Sequence, residues 1–428
     1  MHDVEKVGAS QCHQAIDAVP VQQEASAAAS WRWRGGSFPI ASPLNGPSSR
    51  SPPFLPACLP STPPPLPREQ APASEPLSAC RVPRARPVPA SSAPLARMSS
   101  LAAGLGAAAE DEEVAAVLGG GGWPVVAPPP QGRDLEPARL RRNTCYIVLA
   151  VLLNEEGEVL MMQEAKRECH GRWYLPAGRM EPRETIVEAM RREVQEETGL
   201  QCQPLTLLAV EERGPAWIRF VFLARPTGGA LKTLQEADAE SLQAQWWNRE
   251  TPSLPLRSRD ILPLIELALR YQASPAHPRT LPVELPCAFI CQRLLLVCVG
   301  SSGDLWVLQG TAGALGLPLA TSGLAPSQLG HRLLGAVQRL LQDSLPHPQV
   351  PVHIQGLLGV QHLGKEPGQS DGICFNIMAA VGDKGRWLDE APPALQSGAF
   401  LWRKVEDEAL RSRILQRLDE ASFVPIHS

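Results

Sequence analysis

The stretch GRMEPRETIVEAMRREVQEETGL, Gly178 to Leu200, holds six glutamates and four arginines. Three of the glutamates, Glu193, Glu196 and Glu197, fall within RREVQEE. On a helix, spacings of three and four residues put all three on one face. Like charges so placed cost a bare helix roughly 0.2–0.5 kcal/mol per pair. A hard divalent cation reverses that sign, because magnesium takes oxygen ligands and is held by a few carboxylates together with substrate phosphates. A metal so held clamps phosphate oxygens and generates hydroxide from bound water. A neighbouring carboxylate takes the water's proton. Arg192 can turn to Glu184 and brace the helix. The competing reading of the same run is a solvated acidic face.

These carboxylates need a helix and a rigid approach to it. The helix reads from near Glu184 to Gly199, a C-terminal cap. Upstream, NTCYIVLAVLL (143–153) is apolar and partly β-branched, NEEG is turn chemistry and EVLMMQEA is a second strand, so the three read as a hairpin. GRWYLPAG (171–178) leads from there into the acidic helix. LTLLAVEE and WIRFVFLA read as strands, AQWW opens a further segment at Ala244, and RDILPLIELALRYQ (259–272) has helical spacing. The result is a mixed α/β domain over 139–270.

The whole chain of 428 residues has room for two or three domains. A net charge of −4 gives no sign of a binder of polymeric nucleic acid or of membrane surfaces. No apolar run reaches the roughly 18–20 residues of a membrane span. Among ten scattered cysteines, Cys287 and Cys291 make one Cys-x3-Cys pair with no second pair, which argues against zinc. Such usage fits free thiols in a reducing compartment, the cytosol. Residues 1–135 differ in texture. Pro-, Ala- and Ser-rich segments such as SPPFLPACLPSTPPPLP lack the patterned apolar residues that offset ordering entropy, so this stretch is expected to be a disordered tail. Its PPPLP suits a polyproline ligand or a plain linker. Asp3 and Glu5 sit badly in a transit peptide. Met98 opens a new texture and is a candidate start in its own right.

The wider spacing around the acidic helix is specific. Gly178, Glu184 and the run Arg192-Glu193-Val194-Gln195-Glu196-Glu197-Thr198-Gly199-Leu200 reproduce G-x5-E-x7-R-E-U-x-E-E-x-G-U, with U apolar. The segment is identified as a Nudix box, and the likeness to the Nudix hydrolase family covers about 139–270. It implies an α/β/α sandwich with a mixed sheet. It implies cleavage of a nucleoside diphosphate linked to another group, with Mg2+, or Mn2+ as an alternative. Carried onto this chain, it makes Glu193, Glu196 and Glu197 metal ligands with Arg192 beside them, and has the Ala177 carbonyl complete the shell. Glu240 lies near where relatives carry an extra acidic ligand or base; its bland reading is a surface glutamate. Trp173, Tyr174 and Trp246 flank the expected cleft and are candidates to stack on a purine, against the default of core packing. Tyr174 stands where nucleotide-sanitising triphosphatases carry an amide side chain. Two departures are visible: Arg183 replaces a frequent Gly, and Ala177 replaces the Gly that often precedes the box.

A closer likeness within the family rests on QEAKREC, WYLPAGRMEP, ETIVEA, VEERGP, RFVFLARPTGG, EADAESLQA and, downstream, GLLG and SDGIC. It points to the branch acting on oxidised purine nucleoside diphosphates, and runs from about Met98 to the C-terminus. It implies that 8-oxo-dGDP, 8-oxo-GDP and related oxidised adenine diphosphates are cleaved to monophosphate and phosphate, sanitising the nucleotide pool. The rivals are a non-catalytic nucleotide-sensing or interaction protein, and a Nudix hydrolase of another nucleoside-diphosphate-linked substrate.

Residues 275–428 read as a second, degenerate Nudix-like domain. CQRLLLVCVGSSGDLWVLQG parallels CYIVLAVLLNEEGEVLMMQE, with Cys145/Cys291, Gly157/Gly303 and Gln163/Gln309 each 146 apart. LGLPLA (315–320) parallels WYLPAG, HRLLGAVQRLLQDSL (331–345) falls where the box helix would, and FLWRKVEDEAL (400–410) parallels AQWWNRE. Aligning Arg339 with Arg192 replaces Glu193, Glu196 and Glu197 by Leu340, Asp343 and Ser344. A single carboxylate will not hold a metal cluster. Leu333, Leu334, Val337, Leu340 and Leu341 instead form an apolar face for burial. His331, His353 and His362 have no ligand spacing.

Overall fold

The computed structural model describes residues 110–125, 137–213, 217–250, 254–311, 316–322, 332–346, 349–365, 371–382 and 385–427. The readings of residues 1–97, of PPPLP, of Met98 and of His331 lie outside these. In chain order the elements are helix α1 over 110–118, strands β1 (Cys145–Leu152), β2 (Val159–Glu164), β3 (Trp173–Tyr174) and β4 (Ala177–Arg179), helix α2 (Ile186–Thr198), β5 (Leu200–Glu212), β6 (Trp217–Gly229), β7 (Ser241–Trp247), α3 (Ile261–Ala273), β8 (Ile290–Val299), β9 (Leu305–Gly310), β10 (Leu319–Thr321), α4 (Arg332–Ser344), β11 (Val352–Gln361), β12 (Ile373–Val381), β13 (Phe400–Lys404), α5 (Glu408–Asp419) and β14 (Ile426–His427).

The first lobe is built on a mixed sheet in the order β14-β5-β6-β1-β4. β1 and β6 are parallel, whereas β5 runs antiparallel to β6 and β4 antiparallel to β1. Alternation along β1 sends Tyr146, Val148, Ala150 and Leu152 to one face and Leu149 and Val151 to the other. α2 covers the first face with Ile186, Ala189, Met190 and Val194. α3 covers the second with Ile261, Leu264, Ile265 and Ala268. This is the α/β/α layering expected.

The hairpin expectation is corrected. β1 and β2 are joined by the predicted turn, but they meet only at the bridge Leu153–Val159. β2 then leaves for a separate three-stranded sheet, β3-β2-β7. β1 is buried on both faces and is claimed on either side by β6 and β4, so its edges are used up before β2 can pair along it.

The second lobe repeats most of these pairings, except that β8 and β9 pair directly where β1 and β2 do not. Its sheet runs β11-β12-β8-β9-β13, with β10 also on β8. β8 and β12 are parallel, as are β1 and β6. β13 pairs antiparallel with β9, as β7 does with β2. Gly157 and Gly303 close equivalent turns, donating to the carbonyls of Asn154 and Gly300. Pro176 and Pro318 each accept from the first strand of their lobe, through Ala150 N–H and Leu294 N–H. Along α4, Leu333, Ala336, Val337, Leu340 and Ser344 are buried, as are Ile186, Ala189, Met190, Glu193 and Glu197 on α2. That match supports the alignment in which leucine replaces the first box glutamate.

Two chain ends cross between the lobes. The reading of 1–135 as tail is corrected for 110–125. There α1 buries Val114, Val117 and Leu118 against Leu295, Val297 and Val299 of the second sheet. Glu113 reaches the buried Arg293 guanidinium at 3.0 Å. Alanine-rich sequence hid a short amphipathic helix whose apolar partners lie far along the chain. At the other end, β14 adds a parallel strand to β5 of the first lobe. The α2 and α4 faces of the two sheets share one continuous apolar cluster, in which Phe220 stacks on Phe375 at 6.4 Å.

Candidate active site

The box helix is fixed at both ends. Thr185 caps α2 by accepting from Glu188 N–H at 3.1 Å, and Glu188 accepts from Thr185 N–H at 2.8 Å, a reciprocal capping box. Gly199 ends the helix with φ 77° and its N–H on the Gln195 carbonyl. Lys232 Nζ donates to the Glu196 carbonyl at 3.1 Å, satisfying a backbone acceptor of the last turn.

Glu193, Glu196 and Glu240 each bring a carboxylate oxygen to within 4.8 Å of the others. Glu193 is buried; Glu196 and Glu240 are exposed. Glu193 lies against the bare backbone of Gly178 on β4, and a Cβ there would overlap its carboxylate. That close approach is why the box opens with glycine. Glu240 comes from the turn before β7. Its N–H donates to Asp238 Oδ1 at 2.8 Å and its carbonyl accepts from Ala165 N–H at 3.2 Å. Lys232 holds Asp238 in turn at 2.5 Å.

Glu197 takes a different position from the one expected. It is buried and accepts from Ala177 N–H at 2.8 Å, so it ties β4 to α2. Burial pushes its carboxyl well above the usual carboxylate range, with Glu193 adding repulsion. The Glu193 carboxyl is pushed up to about 7 by burial, with Glu240 and Glu196 adding to the rise and Arg192 opposing it. Arg192 is placed by Glu184, which accepts from its Nε at 2.9 Å and its Nη2 at 2.7 Å. Its Nη1 donates to Glu193 at 2.8 Å and Glu196 at 3.0 Å. Its role is therefore to space two carboxylates while bracing the helix, rather than to brace it alone.

The donor set fits a hard divalent cation. It consists of oxygen only, three carboxylates converge, and burial makes the Glu193 carboxyl resist ionisation despite its contact with Arg192. Sequence alone leaves Glu240 evenly between a ligand and a surface residue; the geometry puts it with Glu193 and Glu196.

The aromatic candidates divide. Trp173 and Tyr174 are buried at 5% and 4% exposure in the core beneath β3 and are corrected from base contacts to framework. Tyr174 Oη accepts from Arg219 at 3.0 Å and donates to Asp260 at 3.0 Å, and Arg257 lies 5.0 Å over its ring. Trp246 on β7 is half-buried and keeps exposed surface. A shallow cavity of about 340 Å³, lined by Lys232, Leu234, Gln243 and Ala244 among others, adjoins it along the chain.

Sequence reasoning missed the charged framework below the site. Arg219 on β6 pairs with buried Glu211 of β5 and, at 2.9 Å, with Asp260. Arg257 pairs with buried Glu164 at 2.5 Å. The available signal was a lone charge inside each apolar strand, WIRFVF and LMMQE, since a buried charge must be paired. Arg183, the departure from glycine, adopts φ 74°. A non-glycine residue there stores about 1–2 kcal/mol of backbone strain.

Residues 144–265 match the NUDIX domain family model. Together with the box geometry and the relatives described next, this makes the chain a member of the Nudix hydrolase family and an enzyme of the pyrophosphohydrolase and phosphatase class. Over 298 residues it is 54% identical to the human (Homo sapiens) protein named 8-oxo-dGDP phosphatase NUDT18, covering 70% of this chain and 91% of that one. It is 51% identical to the mouse (Mus musculus) protein of the same name, over 69% of this chain and 91% of that one. The zebrafish (Danio rerio) counterpart is 47% identical over the same shares, 69% and 91%.

Proposed function

We propose that this enzyme hydrolyses oxidised purine nucleoside diphosphates, 8-oxo-dGDP and 8-oxo-GDP foremost and oxidised adenine diphosphates as well, to the monophosphate and phosphate. The observation that carries the reading is the convergence of Glu193, Glu196 and Glu240 within 4.8 Å on the box helix and its neighbouring turn. The names of the relatives supply the base and the diphosphate.

Glu193, Glu196 and Glu240 would hold the divalent ion, Mg2+ or Mn2+, with the Ala177 carbonyl beside them, while Glu197 keeps β4 tied to α2 behind the cluster. A bound ion would supply charge neutralisation of the diphosphate and activation of a water. The chain's own residues do the rest. Arg192 keeps Glu193 and Glu196 at a fixed separation, so the site is organised before substrate arrives. One carboxylate of the cluster takes the water's proton as its oxygen bonds to phosphorus and the bridging P–O bond breaks. Trp246 offers the exposed aromatic surface for the purine. We place the reaction in the cytosol, where the cysteines remain thiols; no disulfide joins the described ones. Among the described residues no helix is long and apolar enough to cross a membrane. The substrate is a small nucleotide, with no polymeric nucleic acid or membrane partner.

The test is a panel of 8-oxo-dGDP, 8-oxo-GDP, dGDP, 8-oxo-dGTP, a nucleotide sugar and a capped dinucleotide, each with Mg2+, with Mn2+ and with chelator. Metal-dependent release of phosphate from the oxidised diphosphates in preference to all others is expected. Equal turnover of dGDP, or a preference for the sugar or the cap, overturns the substrate assignment.

A further inference from the structure

The degenerate lobe touches the box at one strained place. Arg183, in the left-handed region at φ 74°, immediately precedes Glu184. Glu184 is the residue whose carboxylate seats the Arg192 guanidinium. Against the main chain of Glu184 lies Gly364 of the second lobe, itself at φ +76°, packed so closely that a Cβ would run into the Glu184 carbonyl oxygen. The same turn is anchored on both sides. His362, 1% exposed, puts its ring edge-on to Tyr146 of the first lobe at 5.8 Å. Lys365 Nζ reaches Glu188 of the box helix at 3.4 Å and Glu284 at 3.2 Å. Tyr146 Oη also donates to the Asp371 carbonyl at 2.8 Å.

A strained backbone persists only where its surroundings over-determine it. Arg183 lacks the glycine that would relax this loop, and the contact that could hold it comes from the second lobe. We infer that the turn His362–Lys365, through Gly364, is a positioning element for the first lobe's carboxylates: it pins the Arg183–Glu184 pair so that Glu184 seats Arg192, and Arg192 in turn sets the spacing of Glu193 and Glu196. The degenerate lobe, having lost its own glutamates, acts on the reaction through this contact. The inference rests on the proposed reading of Glu193 and Glu196 as ligands, but not on the identity of the substrate.

The full chain carrying Gly364→Ala tests it. The methyl pushes Glu184 away, so Mn2+ binding measured by calorimetry without any nucleotide weakens on the order of tenfold. The kcat falls by a similar factor while KM changes little, because the carboxylates are misaligned while the purine is still held. Gly303→Ala is the control: it has the same left-handed strain, at φ +85°, but no protein atom nearer than Arg411 at 3.7 Å. It lowers melting temperature and leaves Mn2+ affinity and kcat alone. If Gly364→Ala does not fold, Lys365→Ala, which frees the same turn from Glu188 without a steric clash, supplies the same readouts. Mn2+ affinity and kcat unchanged in the Gly364→Ala chain, or in the Lys365→Ala chain where the first does not fold, overturn the inference. Should the diphosphate substrate be wrong, turnover is absent in every chain while the Mn2+ comparison still reports.

Discussion

Glu193 rests on the backbone of Gly178, and this contact ranks the residues of the box. Gly178→Ala places a methyl where the carboxylate lies, so the carboxylate must move. The expected outcome is loss of Mn2+ affinity in calorimetry together with a lower melting temperature; retention of both would show that Glu193 can be displaced harmlessly. Glu196→Gln and Glu240→Gln keep shape and remove charge. Each should raise the barrier by about 2–4 kcal/mol, as removal of one stabilising group does, with unfolding midpoints nearly unchanged for the exposed Glu196 and Glu240. Steady-state rates at saturating magnesium check this. A Glu240→Gln enzyme with a normal rate would return that residue to the ordinary surface.

At the scale of elements, α1 is the informative case. A chain beginning at Met98 keeps the helix and should match the full chain in melting temperature and turnover. A chain beginning at residue 126 exposes the sites of Val114, Val117 and Leu118, worth about 1.5–3 kcal/mol for each large side chain. It also strands Arg293, 1% exposed, without Glu113. Leaving a buried charge unpaired costs about 3–5 kcal/mol more. Urea titration of the two chains should separate their midpoints clearly, and coincident curves would mean that α1 contributes nothing to the fold.

Over the whole molecule, the lobes share one apolar cluster, and His362 lies at its edge against Tyr146. Neither ring nitrogen of His362 has a hydrogen-bond partner among the described residues. Burial pulls its pKa down from 6.5 to about 4. The unfolded chain therefore binds the extra proton between these values, and stability rises with pH across that window. The contribution is complete above about 6.5 and is lost as pH falls towards about 4, a span worth on the order of 3 kcal/mol. His362→Gln should flatten the stability profile between pH 4 and 6.5; an unchanged slope would assign the acid sensitivity to other groups.

The box, its helix with the Gly199 cap, the α/β class and the repeated order of elements were all set out by the sequence, whereas the Thr185 capping box was not. Each depends on local chemistry: fixed offsets along one helix, alternation along one strand, glycine at one turn. The lack of box glutamates on the helix at 332–344 was legible as well, since Leu340 and Ser344 stand at the aligned positions. What tertiary structure decided was everything that turns on partners distant in the chain. It separated Glu197, held on Ala177 N–H, from a cluster completed by Glu240. It sent β2 into a different sheet from β1, because β6 and β4 had already taken the edges of β1. It decided for core packing at Trp173 and Tyr174, which the family likeness had also offered as cleft candidates, with Tyr174 on a charge network of Arg219, Glu211 and Asp260. It also set α1 on the second lobe, β14 on the first, and Gly364 against Glu184. Periodicity states which face of an element is apolar; only packing decides which of many apolar or charged faces will cover it.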